Sequence, residues 1–85
     1  MKADEIKTGM RNIDLELKVI EKEEVHSFDQ DDGEGRVVTV VGEDESGQVN
    51  VSLWNEDVDR VEVGDRIRIK NGYSRLFKDE VHVSA

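Results

Sequence analysis

The sequence predicts a small all-β barrel of the Greek-key type, with five strands and one short helical turn between the third and fourth. Three observations lead there. Apolar residues come in short runs that alternate with polar ones, as expected for strands with one buried face. The apolar residues are mostly Val and Ile, whose branched side chains suit strands. Pro is absent, and seven Gly fall mainly between the runs, where turns are needed.

Length and composition bound the rest. Eighty-five residues allow one domain, 1–85, and one modest core. With no Cys, neither a disulfide nor a thiolate site is available. No apolar run is long enough to span a bilayer. The first residues, Met1-Lys2-Ala3-Asp4-Glu5, lack the apolar stretch of a signal peptide, so a cytoplasmic protein is expected. Charged residues make up 39%, which leans toward disorder, but the patterned apolar runs argue for a fold.

Residues 1–12 read as a polar lead-in, with Gly9 turning the chain and Met10 placed to plug a barrel end. The first strand starts at Ile13. Ile13, Leu15, Leu17 and Val19 point inward, and Asp14, Glu16 and Lys18 point outward. Ile20 breaks this phase, which predicts a bulge that bends the strand around the barrel. Residues 21–25 are read as a less regular continuation. Residues 26–35 are a loop by composition. Their Asp29-Gln30-Asp31-Asp32-Gly33 run lacks the EF-hand spacing, because Gly33 comes one position early, so it reads as a hairpin tip and no metal is expected.

Arg36–Val41 is the second strand and Val49–Trp54 the third, a hairpin joined by the acidic turn 42–47. Asn55 is placed to cap a short helix in which Glu56 and Asp57 suit the dipole and Val58 and Val61 face the barrel. The fourth strand follows at Arg66–Lys70, with Ile67 and Ile69 inward. Asn71-Gly72 interrupts it. The last strand is Glu80–Val83, with Val81 and Val83 inward.

The third strand holds the most informative residue. Val49, Val51 and Leu53 form its core face, which leaves Trp54, the only Trp, on the polar face beside Asn50 and Ser52. Such an indole is either a platform for a flat ligand or folded under a loop as satellite core. The net charge of −9 argues against a polyanion partner. Its distribution points the other way: Arg66, Arg68, Lys70, Arg75 and Lys78 form a stretch without a single acid. Nothing supports catalysis, since there is no phosphate loop and no arranged triad, and no cofactor or small-molecule substrate is expected.

The element order is that of the OB-fold. The run Gly35-Arg36-Val37, Asp44-Glu45-Ser46-Gly47, Val51-Ser52-Leu53-Trp54-Asn55, Val63-Gly64-Asp65 and Gly72-Tyr73 resembles the OB-folds of archaeal replication protein A. It is also similar to single-OB-fold single-stranded DNA-binding proteins of archaea and animals. The lead-in Ile6-Lys7-Thr8-Gly9-Met10-Arg11-Asn12 is similar to the segment before the first strand in both. The resemblance implies single-stranded DNA binding in replication, repair or recombination, in the cytoplasm at the nucleoid and with little sequence specificity. It places stacking aromatics at Trp54, Tyr73 and Phe77. A fourth aromatic of those proteins falls at about Ser84, a departure, as is the net acidity.

Beside these aromatics, Arg36, Arg68, Lys70, Arg75 and Lys78 are the expected phosphate contacts. Tyr73 shares the parity of Ile67 and Ile69, so core packing and stacking both stay open. Phe28 is either a clamp or a loop anchor. His26 and His82 read as strand-face residues. A competing reading makes the chain a protein-interaction module among other OB-fold domains or replication and repair proteins, with Trp54 and Phe77 anchoring a peptide.

Overall fold

A computed structural model describes residues 1–30, 33–77 and 79–84. It contains a 3-10 turn at Ala3–Glu5 and six strands: β1 (Ile13–Lys22), β2 (His26–Gln30), β3 (Gly33–Asp44), β4 (Gly47–Trp54), β5 (Arg66–Phe77) and β6 (Glu80–Ser84). A single α-helical turn, α1 (Glu56–Arg60), lies between β4 and β5. The sheet order is β1-β5-β6-β4-β3-β2, and β1 also pairs with β3, which closes the barrel. Every pairing is antiparallel except β4 with β6, which is parallel.

The expected barrel and helix are both present, and the sixth strand has a simple origin. β1 and β2 run along the same edge of β3. Lys18 pairs with Glu43, Lys22 with Val40, and His26 with Val37. The register slips by one residue at Ile20, where the sequence predicts a bulge, and again before His26. Between the slips the Glu23 amide still donates to Thr39. The first strand is therefore one long ladder bent twice, and part of the expected loop 26–35 is strand. Asp31 and Asp32 of the expected hairpin tip lie outside the described residues.

The core follows the alternation. Ile13, Leu15, Leu17 and Val19 of β1 meet Val38 and Val40 of β3, Val49 and Val51 of β4, Ile69 of β5 and Val83 of β6. Val58 of α1 and Val61 just beyond it close one end, and Met10 packs against the cluster, as expected of a plug. Asn55 does not cap α1. Its φ is +53°, and its Oδ1 accepts from the Arg36 amide instead, which ties the helix entry to β3. The far end is held by Lys22, whose Nζ donates to the Val58 and Val61 carbonyls at 2.8 and 3.0 Å.

β5 changes phase midway. Asn71 adopts a φ of +54°, and Gly72 fits where a Cβ would stand 2.7 Å from Ile69 and 2.9 Å from the Ser84 carbonyl. Arg66, Arg68 and Lys70 face outward before this point, and Tyr73, Arg75 and Phe77 after it. Buried Ser74 then anchors the lead-in: its Oγ donates to the Lys7 carbonyl and accepts from the Met10 amide. Among the described residues, no helix is long and apolar enough to cross a membrane.

Candidate nucleic-acid interface

Four strands present one continuous outer face. Strand alternation sends Val37 and Thr39 of β3 outward, with Ser52 and Trp54 of β4 beside them. Asn50 of β4 lies next to His82 of β6, and His82 next to Arg75 of β5. Phe77 pairs with Glu80 at the end of the β5–β6 hairpin. On this face lies a groove of about 480 Å³. Trp54, Phe77 and Phe28 line it together with Arg75, His82, Ser52 and Thr39, while Glu23, Glu24, His26 and Glu80 complete its walls.

The aromatics are not packed away. Trp54 is half-buried and Phe77 is 46% exposed. Phe28, on β2, meets Trp54 with ring centroids 5.9 Å apart and planes at 81°, an edge-to-face pair. Phe77 meets His82 in the same way, at 5.3 Å and 79°. The groove thus has Trp54 with Phe28 toward one end and Phe77 toward the other, with Ser52 and His82 on the floor between the two platforms.

The other residues singled out from the sequence are placed differently. Tyr73 is exposed on the same outward row as Arg75 and Phe77, but it lines an adjoining crevice with Gly9, Met10, Arg11 and Asn71. This settles its open parity, since Asn71 turns the ring outward, away from the core. Lys70 is exposed on the first half of β5 and does not line the groove. Arg36 leaves the groove for α1, where its guanidinium donates to both carboxylate oxygens of Asp59. That hydrogen-bonded contact holds the Asp59 carboxyl below its ordinary range. Arg68 is bound to Asp14 across β1, and the Asp14 carboxyl is lowered for the same reason. Lys78 lies outside the described residues. Arg75 is therefore the one groove cation among the described residues, and no carboxylate stands within ion-pair distance of it there.

Phe28, open between clamp and anchor in the sequence, lines the groove, as do His26 and His82, read there only as strand-face residues. Phe28 is hidden in a charged stretch, and His82 is flanked by valines on a strand. The one sequence signal for His82 is its parity, opposite to that of Val83, which is in the core; Val81, also expected inward, is only half-buried near the end of the β5–β6 hairpin and lies outside the core cluster.

Comparison with known proteins decides the family. A model described as "Single-stranded DNA binding protein Ssb-like, OB fold" matches residues 6–85. The chain belongs to this family. It is 24% identical over 84 residues to the single-stranded DNA binding protein Ssb of Saccharolobus solfataricus, covering 99% of this chain and 57% of that protein. It is 31% identical over 74 residues to replication factor A of Methanothermobacter thermautotrophicus, covering 86% of this chain and 9% of that one. The chain thus spans little more than half of one relative and a small part of the other. The solution structure of the second OB-fold domain of replication protein A from Methanococcus maripaludis superposes with a TM-score of 0.78 at 23% identity, over 99% of this chain and 86% of that one. That likeness establishes the OB-fold. The family is defined by binding and not by catalysis.

Proposed function

We propose that this chain binds single-stranded DNA in the groove across β3, β4, β6 and β5, with little sequence specificity, in replication, repair or recombination. The observation that carries this reading is the half-open groove with Trp54 at one end and Phe77 at the other. Each is a ring on which a base can stack, at about 1–3 kcal/mol per base and almost irrespective of base identity. Phe28 meets the indole edge-to-face and lines the same groove, so that end carries two rings. Arg75 lies between the two platforms and holds the intervening phosphate. Tyr73 and Lys70 extend the path toward the lead-in for longer strands.

The carboxylates of Glu23 and Glu24 on the β2 side and Arg75 on the β5 side orient the ligand. Phosphates run along β5, and bases turn toward Trp54. Such a protein works at the nucleoid, wherever strands are transiently separated.

The test is titration with an oligo-thymidine, read by Trp54 fluorescence. Quenching is expected, and the Trp54→Ala, Phe77→Ala double variant should lose affinity by about 2–6 kcal/mol if the platforms act independently. Unchanged affinity in a folded double variant would overturn the reading and leave the aromatics to a protein partner.

A further inference from the structure

One buried titratable group in the groove has no part in stacking or phosphate binding. His82 is 5% exposed and lies on the groove floor between the two platforms. Its Nδ1 is 3.2 Å from Ser52 Oγ. Its Nε2 makes no hydrogen bond among the described residues and stands 4.0 Å from Glu80 Oε2, a carboxylate oxygen held in turn by Asn50 Nδ2 at 3.1 Å. No buried side-chain nitrogen or oxygen among the described residues lacks a partner, so Nε2 reaches the surface of the groove. A neutral imidazole carries one donor and one acceptor. The nearby carboxylate favours the proton on Nε2, so Nδ1 accepts from the Ser52 hydroxyl. Ser52 and Glu80 together fix both the tautomer and the ring's direction, leaving one N–H donor facing the ligand's side.

Resting on the single-stranded DNA reading above, we propose that His82 reads a base edge: its Nε2–H donates to the exocyclic carbonyl of a base, thymine foremost, stacked on Phe77. The Phe77 ring lies against the imidazole, so a base on that platform is brought beside it. Single-stranded bases are recognised on the edges that pairing would otherwise hide. Thymine offers two carbonyl oxygens, cytosine and guanine one each, and adenine none. A domain that is otherwise indifferent to sequence thereby gains a preference for carbonyl-bearing bases, thymine foremost, over adenine at one position of its footprint. Ser52 and Glu80 are positioning residues for that donor.

The experiment replaces each thymidine of an oligo-thymidine in turn by its difluorotoluene isostere, which keeps the shape of thymine and removes its hydrogen bonds. For the unaltered protein one position should weaken binding by about three- to tenfold, the scale of one hydrogen bond, while the others change little. His82→Phe keeps a ring against Phe77 and should abolish that position-specific loss. His82→Gln keeps an N–H donor at the side-chain tip and should retain it. Ser52→Ala leaves the imidazole but frees its orientation, and should shrink the loss at the same position only. Tight binding with a flat scan would overturn the role of His82 and leave the groove intact, as would a scan unchanged in His82→Phe. Failure of the unaltered protein to bind oligo-thymidine at all would remove both proposals.

Discussion

Arg36 is tied to Asp59 by two hydrogen bonds, 2.8 and 3.2 Å long, and so turns away from the groove toward α1. Arg68 is similarly committed to Asp14. Two of the cations expected to contact phosphate are thus occupied within the fold.

The first prediction concerns salt. Single-strand binding loses affinity with a log–log slope of about 0.7 per phosphate neutralised. Five cations would give a slope of about −3.5 on that scale, but with Arg75 foremost in the groove we expect a slope shallower than about −2. Oligo-thymidine titrations across a range of salt concentrations measure it directly. Arg75→Gln should flatten it further, whereas Arg36→Gln should leave it unchanged.

The second concerns α1. The helix is five residues long, too short to stand without tertiary support. Lys22 satisfies two of its terminal carbonyls. Lys22→Met keeps the aliphatic stem and removes the donor. It should cost about 1–3 kcal/mol, the penalty for leaving partly buried acceptors unpaired, and amide exchange around 58–61 should accelerate. Chemical denaturation and hydrogen exchange check the two halves.

The third concerns acid. Asp44 receives the Ser46 hydroxyl, the Ser46 amide and the Ala3 amide, and its carboxyl is lowered to about 2, chiefly by the Ser46 contact. A carboxyl lowered by folding contributes stability above its unfolded value, and that contribution disappears as pH falls through the folded value. Between about pH 4 and pH 2 the 3-10 turn at Ala3–Glu5 should therefore detach from the turn at 44–47. Amide shifts of Ala3 and Asp4 followed by NMR report it, and Asp44→Ala should show the detached state at neutral pH.

The fourth concerns Gly72. A methyl there meets Ile69 and the backbone oxygen of Ser84, and the backbone cannot swing aside. Gly72→Ala should destabilise by about 1–3 kcal/mol and disturb the β5–β6 pairing. At Gly42 the nearest atoms all belong to the Leu17 side chain and not to the backbone, so Gly42→Ala should cost less. Denaturant midpoints of the two variants rank them.

The barrel was legible because β-structure writes itself locally. Alternation marks Ile13 to Val19, and its failure at Ile20 marks the slip in register. β2 was not legible: it packs little apolar surface, and its pairing with Gly33–Val37 is a long-range fact. The aromatic ends of the groove were half legible. Trp54 and Phe77 stand out by parity and setting, but their ring partners come from other strands. The state of the cations was not legible at all. Arg36 and Asp59 are 23 residues apart, and Arg68 and Asp14 are 54 apart, so only the closed barrel decides which charges remain free.

The single indole stands outside the barrel core, on a wall completed by the short strand β2. Its emission during unfolding therefore reports the loosening of that wall, while far-ultraviolet dichroism reports the whole ladder. If β2 peels off first, the two optical melts will separate, and the gap between their midpoints becomes a gauge of how readily the strand opens.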